Sequence, residues 1–199
     1  MTKIKFCGLT RAEDIFAANE ILPEFVGFVF YEKSRRYISP EKFFELKKNL
    51  DKKISAVGVF VDEKIPVVAE IAKNLDFIQL HGSEDENYIS ALKNFTNKKI
   101  IQAFKIKTAE DLILAEKSSA DYILLDGGAG DGKIFDWHIL KNFGRKYFLA
   151  GGLNCKNISD AVKILQPFAV DVSSGIETNN LKDAAKMKKF AQIVRRENF

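Results

Sequence analysis

Eight short, apolar, β-rich runs recur along this chain at an almost constant interval. They cover residues 3–7, 25–30, 55–61, 77–81, 100–105, 122–126, 147–150 and 169–173. Their starts are separated by 22, 30, 22, 23, 22, 25 and 22 residues. The segments between them carry helical patterning. In 40–50, Phe43, Leu46 and Leu50 share a face, with Ser39 placed as N-cap and Pro40 at the first helical position. In 14–21, Ile15, Ala18 and the following Leu22 do the same. Segments 67–75, 88–95, 109–115, 158–165 and 181–194 continue the pattern, and 136–142 is the shortest. Strands that alternate with helices must run parallel, joined by crossovers. An open doubly wound sheet satisfies the alternation. The count of eight favours a closed (β/α)8 TIM barrel of the α/β class.

At 199 residues such a barrel is compact, with short loops. No linker, low-complexity tract or break in composition marks a second domain, so 1–199 reads as one domain. The hydrophobic share is 46% and the charged share 29%, which excludes disorder, a fibre and a disulfide scaffold. The two cysteines, Cys7 and Cys155, are too few for a stapled framework and suit a reducing compartment. Charges interrupt every apolar run near the N-terminus, and no stretch reaches the ~18 apolar residues of a membrane span. The expectation is a cytoplasmic protein with no membrane partner. The net charge of +4 suits an acidic metabolite as well as a nucleic acid. Basic pairs such as Lys47-Lys48 and Lys52-Lys53 are interleaved with Glu45 and Asp51, the mark of solvated helix faces, so no nucleic-acid partner is expected.

In a (β/α)8 barrel, chemistry sits where the βα loops leave the C-terminal strand ends. The runs end there in Cys7-Gly8, in Gln79-Leu80-His81-Gly82 and in Asp126-Gly127-Gly128. The last two end in Gly151-Gly152 and in Asp171-Val172-Ser173-Ser174-Gly175. Glycine turns after strands seven and eight, with a short extra helix, form the usual phosphate site of this architecture. Gly151, Gly152 and Gly175 would bring backbone N–H groups to the phosphate, and Ser173 and Ser174 would add hydroxyls. Cys7 reads either as a small buried residue or as a thiolate base. Asp126 reads either as a turn residue before Gly127 or as a proton donor. Spacing alone leaves both pairs of readings open.

Eight motifs in order carry a resemblance over nearly the whole chain. They are KFCGLT (5–10), SRRYIS (34–39), AVGVFV (56–61), FIQLHG (77–82), LLDGG (124–128), FDW (135–137), AGGLN (150–154) and DVSSGIE (171–177). With them the chain resembles the phosphoribosylanthranilate isomerase family of tryptophan biosynthesis. The resemblance implies an Amadori rearrangement of a phosphorylated small molecule, N-(5-phosphoribosyl)anthranilate, with no metal or organic cofactor. It implies Cys7 as general base, starting as thiolate, and Asp126 as general acid, starting protonated. It sets Arg36 against the anthranilate carboxylate and His81 in the pocket wall without a proton-transfer role. It leaves monomer and homodimer equally open. One departure stands out: Asp131 in the run 127–133 occupies the place of a family Ser or Thr, and would repel an anionic substrate unless Lys133 neutralises it.

Three kinds of rival are weaker, the first being another phosphate-binding barrel enzyme. The histidine-pathway sugar isomerase carries aspartate where this chain has Cys7, and indole-glycerol-phosphate synthase would show a lysine acid. A phosphosugar-binding regulator would have no need of both Cys7 and Asp126. A nucleic-acid-binding domain would show a motif, and none is present. Strand parity adds an expectation independent of the family. Lys5 points as Cys7 does, Asp171 as Ser173 does, and strands one and eight are neighbours in a closed barrel. Lys5 and Asp171 should therefore meet inside as an ion pair, and Gln79 and His81 should share the inner face.

Overall fold

A computed structural model describes residues 1–128, 137–141 and 143–198. Its eight parallel strands are β1 (Lys3–Cys7), β2 (Phe25–Val29), β3 (Ser55–Phe60), β4 (Phe77–Leu80), β5 (Lys99–Lys105), β6 (Tyr122–Asp126), β7 (Tyr147–Ala150) and β8 (Ala169–Val172). They pair in chain order, and β8 returns to β1 to close the barrel. The outer ring holds α1 (Ala12–Ile21), α2 (Pro40–Lys47), α3 (Ile65–Ala72), α4 (Glu86–Lys93), α5 (Ala109–Lys117), α6 (Ile158–Leu165) and α7 (Ala184–Arg196). Among the described residues after β6, a 3-10 turn covers Trp137–Leu140. No helix among the described residues is long and apolar enough to cross a membrane.

Local signals set the helix ends. The Ser39 hydroxyl accepts from the Lys42 N–H at 3.3 Å, and Pro40 opens α2 as the sequence predicts. Leu22 does not extend the apolar face of α1. It closes the helix in the left-handed region at φ 55° and is partly exposed. The segment expected as helix 181–194 begins differently. Leu181–Lys182 (β10) pairs antiparallel with Glu177–Thr178 (β9), and only then does Asp183 cap α7 by accepting from the Lys186 N–H. Asn179 and Asn180, at φ 52° and 63°, form the two-residue hairpin turn whose paired positive φ values asparagine tolerates.

Alternation along the strands divides two cores. Outward residues such as Ile4 and Phe6 pack on the helices, with Phe6 edge-on to Phe190 of α7 at 6.4 Å. Inward residues fill the barrel in layers. The floor is aromatic: Phe25 meets Phe77 at 5.4 Å and Phe148 at 5.2 Å, and Tyr122 stacks on Phe168 at 5.1 Å. The Lys3 ammonium lies 4.7 Å from the Phe168 ring centre, a cation–π lid on that floor. One layer up, Lys5 stands opposite Asp171 in the β1–β8 register, and its Nζ reaches Asp171 Oδ1 at 3.0 Å. Lys5 is fully buried. The ion pair expected from strand parity is present.

Candidate active site

Above the ion-pair layer, the C-terminal mouth opens into a cavity of about 620 Å³. Cys7 from β1, Arg36 after β2, Gln79 and His81 at β4, Asp126 from β6, Gly151 and Gly152 after β7, and Ser173 and Ser174 after β8 all line it. Every candidate residue read from the sequence faces this space except Gly175. That residue sits behind the wall, where a Cβ would run into the Leu153 carbonyl oxygen. Only glycine lets the β7 and β8 loops touch there, through a bridge between Asn154 and Gly175. Gly175 thus closes the two glycine turns on each other instead of lining the pocket.

Cys7 is 8% exposed. Burial pushes its thiol up, while the Lys5 ammonium beside it, and Lys182 farther round, pull the other way. Burial prevails, so the thiol is the resting form. The surroundings do not favour the thiolate start that the sequence reading required; ionisation needs a further positive charge near the sulfur.

Asp126 ends β6 with its side chain about a quarter exposed. Its Oδ1 accepts from the Gly128 N–H at 2.9 Å, and its Oδ2 lies 3.8 Å from His81 Nε2. Burial holds the His81 imidazole below its ordinary range, against the pull of Asp126 and Asp171. The ring is neutral near pH 7, so the contact is not an ion pair. Gln79 explains the ring's orientation. Its Nε2 lies 2.8 Å from His81 Nδ1, and with the amide as donor the imidazole proton resides on Nε2, facing Asp126. Gln79 and His81 share the inner face as expected.

Arg36 lies across Gly8, where a Cβ would collide with the arginine stem. Gly8 also holds φ 81°. The guanidinium is not loose in solvent. Its Nε and Nη2 donate to the two carboxylate oxygens of Glu177 at 2.6 and 3.0 Å. Lys182, its side chain 2% exposed, donates to the same carboxylate at 2.7 Å and to the Ser173 carbonyl at 3.0 Å. The Ser173 hydroxyl donates to the Cys7 carbonyl at 2.9 Å and lies 3.1 Å from Lys182 Nζ, so it ties β8 to β1 and is not spare for a ligand. Burial opposes ionisation of Glu177, but hydrogen bonds from Arg36 and Lys182 outweigh it and the carboxyl is pushed down to about 2. Sequence reasoning assigned no role to Glu177 or Lys182. Glu177 does close the DVSSGIE motif, which was the available signal. Asp131 and Lys133 lie outside the described residues. Among the described residues, no three His, Cys, Asp or Glu side chains gather as a metal-binding group.

Comparison with known proteins bears on the family and the fold. The family model described as N-(5'phosphoribosyl)anthranilate (PRA) isomerase matches residues 4–193. A relative from Thermoanaerobacter sp. (strain X514), an N-(5'-phosphoribosyl)anthranilate isomerase, is 45% identical, with 98% of each chain covered. The crystal structure of phosphoribosyl anthranilate isomerase from Thermotoga maritima superposes with a TM-score of 0.91 at 35% identity, covering 98% of this chain and 100% of that one. A crystal structure of the isomerase in complex with reduced 1-(o-carboxyphenylamino)-1-deoxyribulose 5-phosphate gives 0.89 at 34% identity, with the same coverage.

Proposed function

The chain belongs to the N-(5'-phosphoribosyl)anthranilate isomerase family, and from that membership we propose how its residues divide the work. The reaction is the Amadori rearrangement of N-(5-phosphoribosyl)anthranilate to 1-(2-carboxyphenylamino)-1-deoxyribulose 5-phosphate, a step of tryptophan biosynthesis. Asp126 gives its proton to the furanose ring oxygen. The C1–O bond breaks, and the nitrogen lone pair forms a C1=N iminium. That cation acidifies the hydrogen on C2. Cys7, once its own proton has left to solvent, removes that hydrogen as a thiolate, and the resulting enolamine gains a proton at C1, loses its C2 hydroxyl proton and becomes the C2 ketone. The raised thiol fits this order. The iminium is the further positive charge that Cys7 needs, arriving only after Asp126 has acted, with Lys5 already in place beneath. Acid therefore precedes base.

Binding follows the same division. The phosphate sits between Gly151-Gly152 and Ser174, held by backbone N–H groups. The end-on edge of Arg36 meets the anthranilate carboxylate, since its side edge is already on Glu177. His81, neutral, lines the wall beside Asp126. The free thiol at Cys7 suits a reducing compartment, and the cytoplasm is the assigned location.

The observation that carries this reading is that Cys7 and Asp126, from strands far apart in the chain, open into one cavity with Arg36 and the glycine turns. The test is a fluorescence assay with freshly generated N-(5-phosphoribosyl)anthranilate. The protein converts it, while Cys7→Ala and Asp126→Ala bind it and scarcely turn over. Near-normal turnover in either variant refutes the assigned roles.

A further inference from the structure

Four charges meet at one side of the mouth: Arg35, Arg36 and Lys182 around the single carboxylate of Glu177. The carboxylate is 6% exposed, and it binds Arg36 through both oxygens. Arg35 adds a contact to Glu177 Oε2 at 2.9 Å and another to Asn180 in the hairpin turn at 2.6 Å. Behind the carboxylate, Lys182 anchors it to Ser173, whose hydroxyl is bonded to the Cys7 backbone. The β2 loop is thereby clasped to the β9–β10 hairpin, and the hairpin to the strand that carries the sulfur. Three cations against one anion leave this flank positive, as an anionic group on the substrate requires.

Guanidinium geometry decides what the clasp does. A guanidinium has a side edge, Nε with Nη2, and an end-on edge, Nη1 with the second hydrogen of Nη2. Glu177 takes the side edge. Among the described residues nothing accepts from Nη1 of Arg36, which lines the cavity. From this geometry we infer that Glu177 is the positioning residue for Arg36, fixing its end-on edge toward the carboxylate on the substrate's aromatic ring. Glu177 thereby sets the preference for a substrate that bears that carboxylate. Lys182 holds Glu177 in turn. The inference rests on the reading that Arg36 meets the substrate carboxylate, and it adds a residue that never touches substrate.

The test compares two substrates and three variants. The substrates are N-(5-phosphoribosyl)anthranilate and its aniline counterpart, which lacks the ring carboxylate. The variants are Glu177→Gln, Arg36→Met and the double variant. The expected result is a KM for the anthranilate substrate raised on the order of tenfold in Glu177→Gln, with kcat largely kept. The KM for the aniline substrate stays at its wild-type value, and Glu177→Gln adds nothing in the Arg36→Met background. An equal rise for both substrates means that Glu177 merely holds the loops together, and overturns the inference. A full additional rise on top of Arg36→Met overturns it as well. Arg36→Met that leaves the anthranilate KM unchanged removes the underlying reading of Arg36 and takes the inference with it. Where Glu177→Gln fails to fold, Glu177→Asp keeps the charge but withdraws it by one methylene, and should show the same carboxylate-selective rise in smaller measure. A rise that is not selective sinks the inference there too.

Discussion

The floor and the rim of the same barrel are built from alternating positions of the same strands, yet they follow opposite rules. On the floor, the buried rings of Phe25 and Phe148 interlock edge to face with the partly buried Phe77, Tyr122 and Phe168. Full burial of such a ring, as at Phe25 and Phe148, contributes roughly 1.5–3 kcal/mol, and the mutual geometry of the rings adds to it. Higher up, inward positions of β1, β4, β6 and β8 carry Lys5, Cys7, Gln79, Asp126 and Asp171. Charges there are desolvated, and a well-packed apolar pair of the same volume would often be as stable or more so. The floor is organised by packing and the rim by chemistry, so substitutions in the two layers should separate stability from turnover.

The widest separation is expected between Asp126→Asn and Phe148→Ala. Asp126→Asn should lower turnover by about 10²–10⁴-fold with an unchanged unfolding midpoint, since its carboxyl contributes proton transfer and little packing. Phe148→Ala should lower stability by about 3–5 kcal/mol, yet keep near-normal turnover per folded molecule, as denaturant titration beside the assay would show. Next comes the layer between them. Lys5→Met strands the Asp171 carboxylate in the interior and should cost ~3–5 kcal/mol, whereas Lys5→Met with Asp171→Leu should recover most of that loss in the same titration. The single variant also removes a cation from beside Cys7. In a pH–rate profile of turnover, the limb that reports the thiol should therefore move to higher pH.

A smaller effect distinguishes Glu177. Its carboxyl is depressed to about 2 from an ordinary value of 4.5, so its contribution to stability is complete above that ordinary value and is lost as pH falls toward 2. Thermal unfolding of wild type and Glu177→Gln should differ at pH 6 and converge by about pH 2. The smallest effect belongs outside both layers. Ser39→Ala removes the cap of α2 and should cost about 1 kcal/mol with no change in turnover.

Much of this was legible in the sequence, for a physical reason. Strands buried on both faces read as continuous apolar runs, so all eight are located to within a residue or so at either end. Lys5 and Asp171 were legible because parity and closure are topological, needing no knowledge of rotamers. The hairpin after β8 was hidden because Leu181 and Lys182 fit the helical spacing of the residues that follow, although Asn179-Asn180 is a turn signal. Glu177 was hidden because its partner Arg36 lies 141 positions away and no local pattern connects them. The upward push of burial on the Cys7 thiol was hidden because it depends on neighbours from several strands, and the motif KFCGLT shows only one of them, Lys5.

The central claim is that the hydrogen on C2 of the sugar leaves as a proton to Cys7. Its most direct test is isotopic, following C1 of the product in heavy water alongside single turnovers of substrate deuterated at C2. The predicted result is solvent deuterium at C1, with the C2-deuterated substrate slower than its protiated form. A product that carries its C2 hydrogen quantitatively to C1, at a rate that Cys7→Ala leaves unchanged, would contradict it.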